Sequence, residues 1–282
     1  MNNFKKVLFL GPKGSYSDAA KEKFKELFSE TFETFENSSI TGIINSLLAE
    51  TSAETVAILP LENSIEGIVR ETQDKLDLMA NNGIYVYAET NLSVEHCLVG
   101  YTDNKSEIKK VSSHPQALAQ CRGYLYNNLK DVIFESAFST SSAVSSLLKE
   151  SSSNVAIGSE FCANIYGVPI IEKNINDEEN NTTRFILLSR VIPARKDKNK
   201  ILITFSTENK VGALTQALSI LESYGINLSY IDSRPSRKEL GEYVFYADFE
   251  GHVDDNNIML ALTELQQSVR TLTVLSKGAI IL

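Results

Sequence analysis

Short apolar runs alternate along this chain with longer stretches in which apolar positions recur every three or four residues. Val7-Leu8-Phe9-Leu10 predicts a strand, and Ala19–Phe28 a helix. Thr55–Leu59 predicts a second strand, and 67–79 a helix carrying apolar Ile68, Leu76 and Met79. The pattern continues with predicted strand 110–112, helix 115–126, strand 132–135, helix 140–149 and strand 155–157. Alternation of this kind predicts parallel sheets covered by helices on both faces.

Between these runs the chain is extended for longer than a mean strand, from Ile84-Tyr85-Val86-Tyr87-Ala88-Glu89 to Leu98-Val99-Gly100. Residues 168–175 and 184–191 are similarly extended. Two long crossings between two α/β lobes predict a hinged cleft, with strand-end loops facing into it, where ligands of open α/β sheets bind. The predicted class is therefore a two-lobed α/β region of the type II periplasmic-binding-protein kind. One lobe is expected at about 1–80 plus 168–190 and the other at about 95–165. The pattern breaks at Pro193-Ala194-Arg195-Lys196-Asp197-Lys198. Beyond it, predicted strand 201–205, helix 212–223, strands 226–233 and 243–249, helix 256–268 and strand 271–275 spell a ferredoxin-like βαββαβ domain over 200–278. Every candidate catalytic loop precedes Pro193, so residues 1–190 are expected to fold and turn over substrate by themselves.

Composition narrows the function classes. Lys and Arg number 27 against 36 Asp and Glu, a net charge of −9. The densest basic stretch, 195–200, contains an acid and no aromatic residue, so nucleic-acid binding is not expected. Cys97, Cys121 and Cys162 lack C-x-x-C spacing and sit among apolar neighbours, which predicts buried thiols in a reducing compartment. No uncharged apolar run approaches the ~18 residues of a membrane span, and a strand pattern starts almost at once, leaving no room for a signal peptide; a cytoplasmic protein is expected.

Candidate chemistry lies in the strand-end loops. Gly11-Pro12-Lys13-Gly14-Ser15-Tyr16-Ser17-Asp18 sets two glycines and hydroxyls before a helix start, an anion-friendly turn in which Ser17 or Asp18 would equally serve as a plain cap. In Pro60-Leu61-Glu62-Asn63-Ser64-Ile65-Glu66-Gly67, Ser64 reads as a helix cap while Glu62 and Asn63 have no obvious structural task. In Ser113-His114-Pro115-Gln116, Pro115 suits the first helical position. Ser139-Thr140-Ser141 opens another helix. In Asn181-Thr182-Thr183-Arg184-Phe185, a strand-end Arg184 would offer a guanidinium fork to a carboxylate, with Thr183 a neighbouring hydroxyl. No metal-binding, Walker or dinucleotide motif is present, and His96 and His252 have no motif around them, so neither a metal nor a cofactor is expected.

These loops, Gly11–Ser17, Leu59–Ser64, Ser113–Cys121 and Asn181–Phe185, in this order, closely resemble those of prephenate dehydratases. Gly212-Ala213-Leu214 and Asp232-Ser233-Arg234-Pro235 resemble the two effector motifs of that family's ACT domain, with Asp232 where Glu is usual and Ser15-Tyr16 where Thr-Phe is common. The resemblance covers essentially the whole chain and implies a monofunctional enzyme that takes water and carbon dioxide from prephenate, giving phenylpyruvate without a cofactor. It implies Thr183 at the leaving hydroxyl and Arg184 as carboxylate clamp. Asn63, Ser15, Ser113, Gln116, Thr140 and Asn181 would position substrate, alongside Ser64, Thr182 and Phe185, with Glu62 and His114 in a tuning or supporting role. It further implies L-phenylalanine as effector at the two ACT motifs, Asn227 on the second ACT strand as a brace, and a homodimer or homotetramer. Two other readings stay open: an arogenate dehydratase, and a non-catalytic sensor of small anions.

Overall fold

A computed structural model describes residues 4–102, 104–129, 131–236 and 242–282. In chain order the elements are β1 (Phe4–Leu10), α1 (Tyr16–Lys23), β2 (Phe28–Asn37), α2 (Ile40–Ala49), β3 (Thr55–Asn63), β4 (Gly67–Ile68), α3 (Arg70–Gln73), α4 (Leu76–Asn81), β5 (Tyr85–Ser93) and β6 (Cys97–Gly100). There follow β7 (Lys110–Ser113), α5 (Pro115–Gln120), α6 (Arg122–Asn128), β8 (Ile133–Ser136), α7 (Thr140–Ser146), β9 (Asn154–Gly158), α8 (Glu160–Tyr166), β10 (Ile170–Glu172) and β11 (Thr182–Ser189). The last are β12 (Asn199–Ser206), α9 (Ala213–Ser223), β13 (Leu228–Pro235), β14 (Tyr243–Glu250), α10 (Asn256–Ser268) and β15 (Thr271–Ile281).

By packing, the chain divides into two units. The first contains Met1–Ile43, Ile58–Val69 and Asn91–Phe185; the second contains Ile44–Ala57, Arg70–Thr90 and Ile186–Leu282. Within the first unit are two sheets. One has the order β11-β3-β1-β2, with β4 on β3; the other has the order β10-β6-β9-β7-β8. Parallel pairs β1/β2, β7/β8 and β7/β9 confirm the alternation expected of the sequence. Leu98, Val111, Ala117, Cys121, Val155 and Ile157 form part of the core beneath α5 and α6. Ala143, Val144, Leu147, Cys162 and Ala163 form part of the core beneath α7 and α8. The crossings are bonded side by side: Val94 N donates to Asn181 O at 2.7 Å, Ile175 N to His96 O at 2.9 Å, and His96 N to the Asn176 side chain at 2.6 Å.

In the second unit the strand order is β13-β14-β12-β15-β5. The four C-terminal strands are antiparallel, and β15 adds β5 in parallel at Ile280–Ala88. Helices α9 and α10 cover that sheet through Ala217, Ile220, Leu221, Ile258, Ala261 and Leu265, packed on Ile201, Ile203, Phe205, Ala247 and Phe249. This is the expected βαββαβ module.

Several expected elements differ. The first helix starts at Tyr16, because the cap is Ser15, not Ser17 or Asp18, and Phe28 opens β2. Ser64 caps no helix: the expected helix over 67–79 is a two-residue strand followed by α3 and α4. The expected helix over 115–126 breaks at Cys121 into α5 and α6. Of the extended run expected over 168–175, only 170–172 are strand. Asn227 precedes β13 rather than lying on it, and its side chain is exposed.

Candidate active site

The first unit holds a cavity of about 520 Å³, walled by strands β1, β3, β4 and β11 of one sheet and by α5 and the start of α7 beside the other. The N-terminal ends of three helices open on it: Ser15, Tyr16 and Ser17 at α1, His114 and Gln116 at α5, and Ser139 and Thr140 at α7. Helix starts carry outward N–H groups and the positive end of the helix dipole, so they favour anions. Among the described residues the wall carries no lysine or arginine; its titratable side chains are Tyr16, Glu66, His96 and His114.

Local bonds explain each placement. Ser15 Oγ donates to Leu10 O at 3.0 Å and accepts from Asp18 N at 3.2 Å, which fixes the turn after β1. Lys13 O accepts from Ser141 Oγ and, at 3.0 Å, from the Tyr166 hydroxyl. Gly14 has φ +81°, and a Cβ there would stand 3.0 Å from Ser141 Oγ, so a glycine suits both the backbone and the close approach of α7. His114 caps α5, its ring nitrogen accepting from Gln116 N at 3.3 Å. Ser139 and Ser142 form a reciprocal capping box that seats Thr140 on the wall.

The densest polar cluster joins β3 to β11. Asn63 Oδ1 accepts from Ile65 N at 3.0 Å and Glu66 N at 2.9 Å, so its amide nitrogen has one orientation. That nitrogen donates to Asn181 Oδ1 at 2.7 Å and to Thr183 Oγ1 at 2.9 Å, and lies 3.3 Å from Thr182 O. Two hydrogens serve the two shorter contacts. Thr183 thus receives a hydrogen bond, and no acceptor among the described residues takes its own proton. Asn181 is 3% exposed, and its amide nitrogen has no partner among the described residues, leaving a buried donor on the cavity wall. Leaving such a donor unmet costs about 1–3 kcal/mol, a cost a ligand oxygen would remove.

The structure brings Ser15, Asn63, His114, Gln116, Thr140, Asn181, Thr183 and Phe185 together on this wall. Ser113 is not on it: it is 0% exposed and donates to Ile157 O at 2.8 Å, which ties β7 to β9. Ser64 and Thr182 instead pair with each other, Ser64 N donating to Thr182 O at 2.9 Å and Thr182 N to Ser64 Oγ at 2.9 Å. Glu62 is engaged beside Ile68 in the β3–β4 ladder and is not a wall residue. Arg184 is also off the wall. Asn181, Thr183 and Phe185 are wall residues at alternate positions, and strand alternation puts the residue between on the other face. The residue expected as carboxylate clamp is thus not among those that line the cavity.

One wall residue, His96, had no sequence signal, while Gln120 lies in the Ser113–Cys121 motif but is not singled out by it. His96 lies at a crossing, 2% exposed, and burial pushes its pKa below the usual histidine range. Its Nε2 is 2.9 Å from Gln120 Oε1, and its Nδ1 is 3.4 Å from the Tyr16 hydroxyl. Tyr16 donates to Glu95 O at 2.8 Å, and burial pushes its pKa up. The three-dimensional pairing of the crossings, rather than any local motif, places His96 at Thr183's cavity.

In the second unit, Gly212 stands at the N-cap of α9 with φ +82°. Asp232 and Arg234 on β13 are paired at 3.1 Å, and both reach Gln73 of α3: Arg234 Nε donates to Gln73 Oε1 at 3.1 Å, and Gln73 Nε2 lies 3.4 Å from Asp232 Oδ2.

Fold and site define a two-lobed α/β enzyme of small anionic substrates, joined to a βαββαβ module. The chain belongs to the prephenate dehydratase family. The model of that family, described as prephenate dehydratase, matches residues 7–192, and a model described as ACT domain matches 201–266. A protein of Methanocaldococcus jannaschii named prephenate dehydratase is 39% identical over 252 residues, 88% of this chain and 89% of that one. The arogenate dehydratase/prephenate dehydratase 2 of Arabidopsis thaliana is 32% identical over 291 residues, covering 96% of this chain and 71% of the other. The crystal structure of prephenate dehydratase from Arthrobacter aurescens, in complex with L-Phe, superposes with a TM-score of 0.82 at 27% identity, over 98% of this chain and 89% of that one.

Proposed function

We propose that the chain converts prephenate to phenylpyruvate, with Thr183 addressing the hydroxyl that leaves. The observation that carries this is the Asn63–Thr183 bond of 2.9 Å, which occupies an acceptor site on Thr183 and leaves its proton to donate. A hydroxyl that accepts a hydrogen bond is polarised into a better donor. As the ring C–O bond breaks, Thr183 supplies a proton to the departing oxygen. The electrons of the bond to the ring carboxylate move into the ring, carbon dioxide departs, and the ring becomes aromatic. Prephenate dianion plus one proton balances with phenylpyruvate, carbon dioxide and water, and solvent restores the proton to Thr183.

A wall with no lysine or arginine among the described residues suits this chemistry. The ring carboxylate loses its charge as carbon dioxide forms, so a cation upon it would hold the ground state more tightly than the transition state. The lasting carboxylate is held in this proposal by neutral donors: the α1, α5 and α7 starts with Ser15, Gln116 and Thr140, and the amide of Asn181. Arg184 then braces β11 beside Thr183 rather than binding substrate. Glu62, Ser64, Ser113 and Thr182 hold the loops, and His114 fixes the α5 start.

L-Phenylalanine is proposed as effector at Gly212-Ala213-Leu214 and Asp232-Ser233-Arg234-Pro235, in a homodimer or homotetramer in the cytoplasm. The support is the ACT match over those residues and the L-Phe complex of the Arthrobacter relative. Prephenate and arogenate should be offered side by side to the purified protein. Phenylpyruvate from prephenate, reduced by added L-phenylalanine, is the expected result. Turnover of arogenate alone would move the assignment to the aminated substrate, and turnover of neither would remove it.

A further inference from the structure

Resting on that dehydratase reading, the geometry points to His96 as a positioning residue, which directs the amide nitrogen of Gln120 into the cavity as a donor to the substrate. Gln120 is on the cavity wall, and its side chain can turn either its oxygen or its nitrogen inward. Those two orientations have opposite meanings for a substrate rich in carboxylate, keto and hydroxyl oxygens. His96 Nε2, 2.9 Å from Gln120 Oε1, makes the choice when it carries the ring proton. The Gln120 nitrogen is then the atom left to the substrate, and it is buried without a partner among the described residues.

The rest of the surroundings holds the ring in place. Tyr16 meets it edge-on, with ring centres 6.1 Å apart. The Tyr16 hydroxyl stands 3.4 Å from Nδ1 while donating to Glu95 O at 2.8 Å, and His96 N is tied to Asn176 at 2.6 Å. A side chain needed only to fill space would require neither the Gln120 bond nor a choice of ring nitrogen. The arrangement also links the second sheet's α5 to the crossing next to Asn181, so one bond sets the aim of a donor from the opposite wall to Thr183.

The test is a double-mutant cycle on the full chain with prephenate. His96→Asn, which places its amide nearer the position of Nδ1, should lower kcat/KM by about 10–100-fold, the range for a misaimed contact. His96→Gln, whose amide nitrogen reaches toward the place of Nε2, should restore most of it. Gln120→Ala should show the same split between kcat and KM as His96→Asn, and the double variant should lose no more than Gln120→Ala alone. Losses that multiply, or a His96→Asn enzyme with wild-type kinetics, would overturn the role. Wild-type protein gives a measurement independent of variant folding. In the ¹⁵N spectrum of its three histidines, His96 should be neutral and protonated on Nε2 at neutral pH; a ring protonated on Nδ1 would equally overturn it. Wild-type protein that fails to turn over prephenate would instead count against the dehydratase reading itself.

Discussion

A threonine hydroxyl is a weak acid, and Thr183 owes its proposed role to the amide of Asn63. Thr183→Ala should lower kcat by about 10²–10⁴, the span for losing a positioned proton donor, while KM moves less. Steady-state kinetics decide this, and near-wild-type kcat in the folded variant would remove Thr183 from the chemistry. Arg184 provides the contrast. Lying off the cavity wall, it should tolerate replacement by Lys with a smaller loss of kcat/KM than Thr183→Ala; a loss as large would return it to the substrate. The thiols make a separate prediction at this scale. Burial pushes Cys121 up to about 12 and Cys162 up to about 11, and raises Cys97 as well. Because the folded-state values are raised, the unfolded chain ionises first as pH rises. The stability these thiols contribute is complete below about pH 9 and is lost as pH climbs through their folded values. Urea midpoints should therefore fall from about pH 9 upward, and less steeply in a Cys121→Ala, Cys162→Ala double variant. In native protein all three thiols should react slowly with a thiol reagent.

At the level of elements, legibility followed the period of the apolar pattern more than burial itself. Most strands of the two α/β sheets, and all six elements of the C-terminal module, stand close to where the sequence predicts them. Strand β2 was illegible because it is largely exposed and its Phe28, Phe32 and Phe35 are spaced four and three apart, as on a helix. Helix α2 carries Ile40, Ile43, Ile44 and Leu47, all buried and at helical spacing, so its pattern was present but unread. The site divides in the same way. Loops at strand ends pointed to Asn63, Thr183 and Thr140, which line the cavity, whereas a motif does not say which face of its strand Arg184 takes. His96 needed the pairing of two crossings distant in sequence. Gly212 is legible for a local reason: φ +82° favours glycine, and open space surrounds it. Gly212→Ala should cost about 1–2 kcal/mol through that conformation alone, and should raise the L-phenylalanine concentration needed for inhibition. Thermal unfolding reads the first effect and inhibition curves the second.

On the scale of the whole molecule, the second unit is assembled from sequence on both sides of the linker. Asp77 accepts from Thr204, Glu89 pairs with Lys200 at 2.9 Å, Leu282 N donates to Glu89 O at 3.0 Å, and Gln73 meets Asp232 and Arg234. The proposal of a catalytic domain within residues 1–190 then carries a specific cost: a chain cut near Arg195 leaves α3, α4 and β5 without these partners. It should turn over prephenate but unfold at lower urea than the full chain, and a soluble, folded, inactive product would refute the assignment. The exposed run Arg195-Lys196-Asp197-Lys198 offers trypsin three basic residues between β11 and β12. Cleavage there severs one peptide bond and none of the contacts just named. The two pieces should travel together through gel filtration and separate only in denaturant, so a nick in the linker is expected to leave a folded, non-covalent complex of two fragments.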